Sequence, residues 1–529
     1  MRGYRVLKRS GCLDKIAVVK QALTERSLGL AKQHFSSVVM GEGVATGEII
    51  ARQYLLVRLG GLNLNRALLL SMGSEGGLVV FPLPREWREV LIEHGFKVAH
   101  FRSALRWQFY VCALFLYGVL EICRIAYAGV VASKDASAKQ GNCAYFADLV
   151  PGNLPGVTDG LKSHDVISWY LQWPGRKSDI DAVRHSVSNS SPTTVGIIDV
   201  APQSGPLPAL AGSESIVNFF VWGLVVSAIA AFDCLRGRWW HAFLLNQAAQ
   251  SAQARFLPVD YLARDYLFHN SGWIYRPLWT YEAEKKGARI IFYFYSTNCQ
   301  PFMRPGCEMA RPYYGYQAMA WPYYLVWDEY QADFVRSVAC GKPRIDIVGP
   351  IGFSTSVLKM PALPARAVAV FDVQPVRNSF YQTLAVDFDY YTPKTANQFL
   401  TDIHEVLTEA DCCLALKRKR DIGRQMIHRS YAHCLEKLDK LPNYIAIDPN
   451  VAAPVVIEDC VAVISMPFTS TALLGRGLEK PSIYYDPHGK LLKNDPAAHG
   501  VEVISGKLEL RRWLASVLAN HRFDGASNA

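Results

Sequence analysis

The residues best suited to chemistry form a turn at residues 465–475, with the sequence SMPFTSTALLG. The apolar residues before this turn predict a buried strand. The helix after it begins with three hydroxyl side chains, Thr469, Ser470 and Thr471. The first turn of a helix carries free N–H groups and the positive end of the helix dipole, so it attracts phosphate. The alternative interpretation is that these hydroxyls only cap the helix.

Basic side chains follow the neighbouring predicted strand, residues 413–416. Four cations come directly after it: Lys417, Arg418, Lys419 and Arg420. Such a run is usually a solvated face, but at the carboxyl end of a strand it is well placed to grip an anion. Gln374 and Arg377 follow a third predicted strand, residues 367–371, and add an amide and a guanidinium. Three strand ends therefore converge on anion binding.

Acidic residues near these strands are open to two interpretations. Glu458 comes shortly before the predicted strand 461–465, where its carboxylate is able to bind ribose hydroxyls or simply to face solvent. Asp387 and Asp389 have the spacing with which some sugar transferases hold a nucleotide's cation. They lie in an aromatic stretch typical of an ordinary strand or loop, so we predict no metal site. GxGxxG and GxxxxGKS/T are absent, which excludes a dinucleotide fingerprint and a Walker-type ATP site.

A second concentration of polar and aromatic residues lies at 260–333. Aromatic faces stack on sugar rings, and His or carboxylate side chains take a proton from an attacking hydroxyl. The region therefore fits either a sugar-binding cleft or an aromatic core held by salt bridges. The side chains in question are His269, Trp279, Glu282, Trp321, Tyr324 and Asp328.

Short apolar strands alternate with helical stretches along the chain, which predicts parallel α/β structure. The chain has 529 residues, and at about 150 residues per domain this length predicts two to four domains. Half of the residues are hydrophobic, which excludes global disorder. We place the main boundary near residue 360. Beyond it, strand, turn and helix recur four times, which predicts a doubly wound sheet with its ligand at the carboxyl ends of the strands.

The net charge and the cysteine content limit which partners and which cellular compartment are expected. The formal net charge of +10 favours acidic partners such as nucleotide phosphates, sugar acids or an anionic membrane. Nucleic acid is disfavoured because the basic residues cluster at strand ends. The 12 cysteines form no CxxC pair, which argues against a zinc or disulfide framework and favours a reducing compartment. We expect the protein in the cytoplasm, since residues 1–21 lack the apolar core of a secretion signal.

Two apolar runs, residues 109–120 and 216–232, are shorter than the roughly 20 residues that span a bilayer. We expect both to be buried helices. Shallow membrane contact is the alternative, because the second run leads into the basic and Trp-rich sequence RGRWW at 236–240. The cytoplasmic face of the inner membrane is the surface that such contact implies.

Separated segments of the chain resemble, in the expected order, the bacterial polysaccharide biosynthesis PFTS-motif family. These segments are MPFTST at 466–471, FDVQPVR at 371–377, KRKR at 417–420, YYDP at 484–487 and the stretches 269–284 and 321–331. The resemblance covers about residues 240–515 and implies a glycosyltransferase in surface polysaccharide assembly. The implied fold is GT-B-like, with two Rossmann-type doubly wound domains facing a central cleft.

The layout is also similar to the GT-B transferases for sialic acid and 3-deoxy-manno-octulosonic acid (Kdo). In those enzymes a Ser/Thr turn holds the phosphate of a CMP-sugar, but many have a His-Pro pair where this chain has Lys-Arg-Lys-Arg. The resemblance therefore supports glycosyl transfer more strongly than it supports a CMP-linked donor.

The resemblance implies a metal-independent transferase without a cofactor, whose nucleotide-sugar donor carries a Kdo-like or sialic-acid-like sugar. Thr469, Ser470 and Thr471 would hold the phosphate, helped by the basic run, Gln374 and Arg377, and Glu458 would bind the ribose hydroxyls. Glu282 and His269, then Asp328, are the candidates for the base that activates a hydroxyl of the acceptor, which is a glycan or a lipid-linked glycan. If the reaction retains configuration, the same residues are the candidates for a nucleophile that attacks the donor sugar.

The implied domains are a helical extension (1–59), an acceptor-binding domain (60–360), a donor-binding domain (361–515) and a flexible tail (516–529). A last helix, residues 507–520, is expected to pack back across the hinge. Two alternatives stay open: a nucleotide-sugar epimerase or hydrolase on the same scaffold, and a non-enzymatic membrane-associated assembly scaffold.

Overall fold

The chain divides into two units. The computed structural model describes residues 2–12, 15–31, 53, 77–131, 141, 143–147, 165–170, 195–199, 207–270, 275–297, 299–300, 302–303, 305–306, 316, 319–350, 360–375, 390–418, 427–449 and 451–520. Unit 1 comprises Met1–Tyr293, Tyr314–Leu325 and Val338–Asp346, and unit 2 comprises Phe294–Tyr313, Val326–Ser337 and Ile347–Ala529. The four domain ranges expected from the sequence stay predictions.

Unit 1 contains two parallel sheets and a group of helices. Its helices are α1 (Arg2–Arg9), α2 (Ile16–Ala31), α3 (Arg85–Glu93), α4 (His100–Val131), α5 (Ser213–Leu235), α6 (Trp240–Phe256) and α7 (Trp279–Lys285). Its strands are β1 (Leu78–Val79), β2 (Lys97–Val98), β3 (Cys143–Ala147), β4 (Asp165–Tyr170), β5 (Val195–Asp199), β6 (Asp265–His269), β7 (Arg289–Tyr293), β8 (Tyr323–Val326) and β9 (Arg344–Ile347). Strands β1 and β2 pair with each other, and the rest form one sheet in the order β5-β4-β3-β6-β7-β8-β9.

Aromatic side chains fill the core beside the larger sheet. Strand β7 is buried over four consecutive residues, as expected for a parallel strand that is covered on both faces. The ring of Trp321 lies 4.7 Å from that of Phe268 on β6 and 5.1 Å from that of Phe292 on β7. Trp279 packs against Phe268 and Tyr266 in the same core. The structure thus places these large aromatic rings inside unit 1.

Helices α4, α5 and α6 pack together through small residues. A Cβ atom on Gly118 of α4 would lie 2.6 Å from Leu245 of α6, and one on Gly223 of α5 would lie 2.5 Å from Ile122 of α4. Only glycine allows the backbones to approach this closely.

Helices α4 and α5 contain the apolar runs 109–120 and 216–232, which we expected to be buried. That expectation is wrong, because only 33% and 22% of their most apolar 18-residue windows are buried. By length and composition alone, both helices could cross a membrane.

Unit 2 is a doubly wound sheet, as the strand-turn-helix pattern predicts. Its elements are α8 (Glu329–Val338), β10 (Ala367–Phe371), α9 (Pro393–Glu409), β11 (Cys413–Lys417), α10 (Arg429–Leu438), β12 (Tyr444–Ile447), α11 (Ala453–Glu458), β13 (Ala462–Ser465), α12 (Ser470–Gly477), β14 (Ser482–Asp486), β15 (Glu502–Ser505) and α13 (Gly506–Asn520). The six strands are parallel in the order β12-β11-β10-β13-β14-β15. The order reverses between β10 and β13, which is the position where such sheets bind ligands.

The last helix, α13, packs against α9 and β15 within unit 2. Lys507 and Arg511 pair with Glu405 and Glu409 of α9, at 2.9 and 2.7 Å. The helix therefore lies on α9, whereas the sequence led us to expect packing across a hinge.

Candidate functional site

The candidate site lies at the carboxyl edge of the unit 2 sheet. The Cα register places Phe371, the last residue of β10, between Lys417 of β11 and Ser465 of β13. Because neighbouring strands are about 4.8 Å apart, the Cα atoms of Lys417 and Ser465 are about 10 Å apart. The residues that leave these three strands therefore emerge together at the point where the strand order reverses.

Thr469 and Thr471 form a chain of hydroxyls at the start of α12. The Thr471 Oγ1 atom lies 2.8 Å from Ser465 Oγ and 3.1 Å from Thr469 Oγ1, and Thr469 Oγ1 donates to the Met466 carbonyl at 2.9 Å. Thr469 is the N-cap residue, but no side chain caps the helix. The sequence-level alternative, that these hydroxyls only cap the helix, is not what the geometry shows. The first-turn N–H groups stay available to an acceptor from outside the helix.

Tyrosine hydroxyls hold the backbone of this turn in place. Tyr484 donates to the Thr469 carbonyl at 2.7 Å, and Tyr391 donates to the Pro467 carbonyl at 2.5 Å. Ser470 Oγ accepts the Thr297 N–H at 2.9 Å, so Thr297 fixes the Ser470 side chain. A turn held by three outside groups is preorganised for binding.

Unpaired polar atoms follow β10 on the same edge. Gln374 is 8% exposed, and its Nε2 atom has no hydrogen-bond partner. Asp372 is 2% exposed; one carboxylate oxygen accepts from Tyr431, while Oδ1 has no partner. Burial raises the pKa of Asp372 to about 6, although Tyr431 and the nearby Arg418 and Lys417 favour its charged form. Buried polar atoms without partners are rare in proteins, and these two atoms are able to bond a ligand.

Lys417 supplies a buried cation to this edge. Its side chain is 8% exposed, and Nζ donates to the Pro449 carbonyl at 3.2 Å. Burial lowers the pKa of Lys417, although Asp372 and Asp448 act in the opposite direction. Arg418 follows directly and is half-buried. The edge thus combines two cations with an uncapped helix, which is an arrangement able to bind a phosphate or carboxylate without a metal.

The other predicted donor-site residues are not brought together with this edge. Glu458 is the last residue of α11 and is exposed. Its carbonyl accepts from Lys480, shortly before β14, so it lies near the amino ends of the strands. Arg377, Lys419 and Arg420 lie outside the described residues, as does the Asp387–Asp389 pair. Among the residues that the structure describes, no group of three or more His, Cys, Asp or Glu side chains could hold a metal ion.

Two of the predicted bases belong to unit 1. His269 is half-buried at the carboxyl end of β6, where its ring lies 5.8 Å from that of Tyr293. Glu282 is 5% exposed and pairs with Arg255 at 2.9 Å. His269 therefore occupies the edge of its sheet where ligands bind, whereas Glu282 is half of a buried ion pair.

The third predicted base, Asp328, pairs with His499 inside unit 2. His499 Nδ1 lies 2.8 Å from Asp328 Oδ1, and Asp328 also accepts the Gln331 N–H at 3.0 Å. Burial by itself would raise the pKa of Asp328, but the bonds from His499 and Gln331 outweigh it and leave the pKa below its usual value. These contacts give Asp328 a structural task at the start of α8.

Sequence reasoning missed several residues of the candidate site. Asp372 and Ser465 were not assigned a role, although both stand at the end of a predicted strand, which is a readable signal. Thr297 and Tyr391 gave no such signal, because only the fold brings them to the turn. Of the two interpretations of the aromatic residues at 260–333, the structure shows the core, since Trp279, Trp321 and Tyr324 are buried. Their spacing in the sequence does not distinguish a cleft from a core.

A family comparison identifies the turn that forms this site. The model of the polysaccharide biosynthesis PFTS motif protein family matches residues 219–514, which is more than half of the chain. The chain belongs to this family. Residues Pro467, Phe468, Thr469 and Ser470 spell the PFTS motif, so the motif supplies the uncapped helix start described above. The family predicted from the sequence is thereby confirmed.

Several solved structures are distantly similar to this PFTS family member, among them the three described below, and no curated protein matches it. A variant of the wall teichoic acid polymerase TagF is 11% identical over 78% of this chain and 89% of its own, with a TM-score of 0.38. LpCGTa in complex with UDP is 10% identical (72% and 91% covered, TM-score 0.34). The glycosyltransferase SnogD from Streptomyces nogalater is 14% identical (71% and 91% covered, TM-score 0.29). Because each TM-score is below 0.5, the assignment of the chain to its family rests on the family model alone.

Proposed function

We propose that this protein is a metal-independent GT-B-type glycosyltransferase that uses a nucleotide-sugar donor in polysaccharide biosynthesis. The observation that carries the proposal is the PFTS motif itself, which forms an uncapped helix start beside Lys417 at the strand-order reversal. Fixed cations and a helix N-terminus stabilise the negative charge that develops on a leaving nucleotide phosphate. Family membership in polysaccharide biosynthesis agrees with this chemistry.

In the proposed mechanism, the donor phosphate binds the first-turn N–H groups of α12 and the hydroxyls of Ser470 and Thr471. Thr469 shapes the turn, because its N–H and its hydroxyl both donate to the Met466 carbonyl. Lys417 and Arg418 neutralise the phosphate, and the unpaired Nε2 atom of Gln374 donates a hydrogen bond to the bound nucleotide sugar. Arg377, Lys419 and Arg420 stay candidates for the same task. A CMP-linked donor with a Kdo-like or sialic-acid-like sugar is the preferred substrate, because its carboxylate adds a second anion for this basic edge.

The donor class is tested by thermal shift with CMP, CDP, UDP and GDP compounds. A nucleotide at about 100 times its Kd stabilises the fold by about 2.7 kcal/mol, so selective binding gives a readable rise in the melting temperature. Incubation of protein and donor without acceptor tests the chemistry. Freed or isomerised sugar as the main product would favour a hydrolase or epimerase.

The phosphate contact is tested by replacing Ser470 and Thr471 with Ala. Each bond to a charged group is worth about 1.5–3 kcal/mol, so calorimetry should show donor affinity reduced at least about tenfold. Ser516→Ala on α13 removes a hydroxyl that only bonds the Trp513 carbonyl and serves as the control. Unchanged affinity in the double variant removes the PFTS turn from the donor site.

For the base we propose His269, since it lies at the carboxyl end of β6, the edge of a parallel sheet where ligands bind. His269→Asn should lower the turnover rate by a factor of about 100 or more while donor affinity stays unchanged. Glu282→Gln is the matched comparison, because it weakens the ion pair with Arg255. This variant should lower the unfolding free energy and should lower the turnover rate less than His269→Asn does. The reverse pattern, with transfer lost only in Glu282→Gln, would return the role to Glu282.

A further inference from the structure

Unit 1 exposes an unusually apolar surface on α4 and α5, here called the outer face. Helix α4 contributes nine exposed large hydrophobic residues and α5 contributes seven, while the rest of the described chain has seven in all. Those of α4 are Phe101, Leu105, Phe109, Leu116, Tyr117, Leu120, Tyr127, Val130 and Val131; those of α5 are Val217, Phe220, Val221, Leu224, Val225, Phe232 and Leu235. Such a concentration marks an interaction surface.

The opposite side of both helices is covered by protein. Gly118 of α4 lies against Leu245 of α6, and α6 in turn packs on α7. Helices α4 and α5 are antiparallel, since Gly223 lies against Ile122 while Gly129 lies against Ile216. The outer face is therefore one side of a two-helix layer that lies flat on the unit.

The outer face is larger than the apolar patches of soluble monomers. Helix α5 has 23 residues and is therefore about 35 Å long. Two helices at a spacing of about 10 Å cover roughly 700 Å², whereas the largest patch on a typical monomer is about 300–600 Å². A protein partner of this area would require about one hydrogen bond per 100–200 Å². Between Phe109 and Leu120 the exposed side chains offer only a thiol and the Tyr117 hydroxyl.

Charge on these helices is arranged for an anionic surface. Of the three acidic residues on these helices, Glu121 and Asp233 are buried and pair with Arg124 and His241. The third, Glu214, is exposed at the start of α5. Exposed arginines lie at the start of α4 and just after α5: Arg102, Arg106, Arg236 and Arg238. Because the helices are antiparallel, these two groups lie at the same end of the outer face. A basic edge beside an apolar face is typical of proteins that lie in the interfacial plane of a membrane.

We propose that the outer face binds an anionic lipid surface, with α4 and α5 lying in the plane of the headgroups and not spanning the bilayer. Coverage of their inner side by α6 excludes lipid from that side. The arginine end contacts anionic headgroups, and the Phe, Leu and Val side chains enter the acyl boundary. This binding does not depend on the proposed transferase activity.

Flotation of the full-length protein with vesicles tests the proposal. We expect it to float with phosphatidylcholine vesicles that contain phosphatidylglycerol, and more weakly with phosphatidylcholine alone. Leu120→Glu combined with Leu224→Glu should abolish binding, whereas Leu508→Glu, at a residue 60% exposed in unit 2, should not. Arg236→Gln should weaken binding to the anionic vesicles about fivefold, the equivalent of about 1 kcal/mol. A wild-type protein that stays in solution, or equal loss in Leu508→Glu, overturns the proposal.

Native cysteines provide a second measurement on the unaltered chain. Cys112 and Cys123 are exposed on α4, close in sequence to Phe109, Leu116 and Leu120. Anionic vesicles should slow their reaction with a water-soluble maleimide, while Cys434 in unit 2 should react at an unchanged rate. If vesicles have no effect but the protein self-associates, and the double Glu variant breaks that association, the outer face binds a second copy and the lipid proposal is wrong.

Discussion

Asp372 is a buried carboxyl group whose raised pKa makes the free energy of unfolding depend on pH. Its pKa of about 6 lies well above the ordinary value of 3.8 for an aspartate. The folded state therefore favours the protonated form, so stability from this group is complete below pH 3.8 and is lost as the pH rises through 6. A difference of about 2 units corresponds to about 3 kcal/mol.

Replacement of Asp372 by Asn should remove this dependence. The Asn Oδ1 atom still accepts from Tyr431, so the variant should gain stability relative to wild type between pH 4 and pH 7, by up to about 3 kcal/mol. Urea unfolding at several pH values measures the difference. Asp459→Asn, at an exposed carboxylate, is the control and should show no such trend. If the difference in unfolding free energy between Asp372→Asn and wild type is the same at all pH values, the pKa of Asp372 is not raised to about 6.

At the residue scale, sequence reasoning works where position along a strand decides position in space. Lys417 and the hydroxyls of the PFTS turn follow strands, and the parallel sheet brings them to one edge. Glu458 precedes its strand and consequently lies near the other edge. Glu282 has a partner, Arg255, that belongs to another helix, so no local pattern indicates its burial.

Helix α12 depends on one glycine for its position on the sheet. A Cβ atom on Gly475 would lie 2.3 Å from Ser482 Oγ and 2.7 Å from Val463 Cγ2. Gly475→Ala should therefore push α12 away from β13 and β14, at a cost of about 1–3 kcal/mol in unfolding free energy. Donor affinity should fall with it, since the PFTS turn begins this helix.

Gly477→Ala is the matched control on the same helix. A Cβ atom there would meet only Pro350, at an ordinary 3.8 Å. The variant should be neutral or slightly more stable, because Ala reduces the freedom of the unfolded chain. Equal destabilisation by both changes, measured by denaturant titration, would contradict the packing explanation for Gly475.

At the scale of elements, the sequence predicts unit 2 better than unit 1. Strand β10 has the expected bounds, and β11 and β13 differ from theirs by one residue, because each apolar run is short and ends beside a polar residue. Strand β15 was not expected, since only a 3-10 turn, Pro496–Ala498, and no α-helix precedes it. In unit 1, charged residues on both sides of β6 make its apolar pattern hard to recognise in the sequence, and β3 to β5 lie within a mostly polar region.

At the scale of the molecule, the two proposals predict separate footprints for two ligands. Hydrogen exchange measured by mass spectrometry should show the donor nucleotide slowing exchange in β10, β11 and the first turn of α12. Anionic vesicles should instead protect α4 and α5. Protection of α4 and α5 by nucleotide alone would contradict the donor site, and protection of α12 by vesicles alone would contradict the outer face.

The excess of positive charge is also divided along the chain. Lys417 and Arg418 serve the candidate donor edge in unit 2, while Arg102, Arg106, Arg236 and Arg238 flank the outer face of unit 1. The net charge of +10 alone does not distinguish these surfaces, because a sum over the chain contains no positions.

The strand order of unit 1 sets a lower limit on the length of chain that folds as an independent piece. Strand β3 pairs with β6, yet it lies outside residues 219–514, the range that the family model matches. A protein shortened to that range would lose β3, β4, β5 and all of α4. Strand β6 would then present an open row of backbone N–H and C=O groups, and α6 would present bare apolar surface. Aggregation, and not a minimal enzyme, is the expected product of such a truncation.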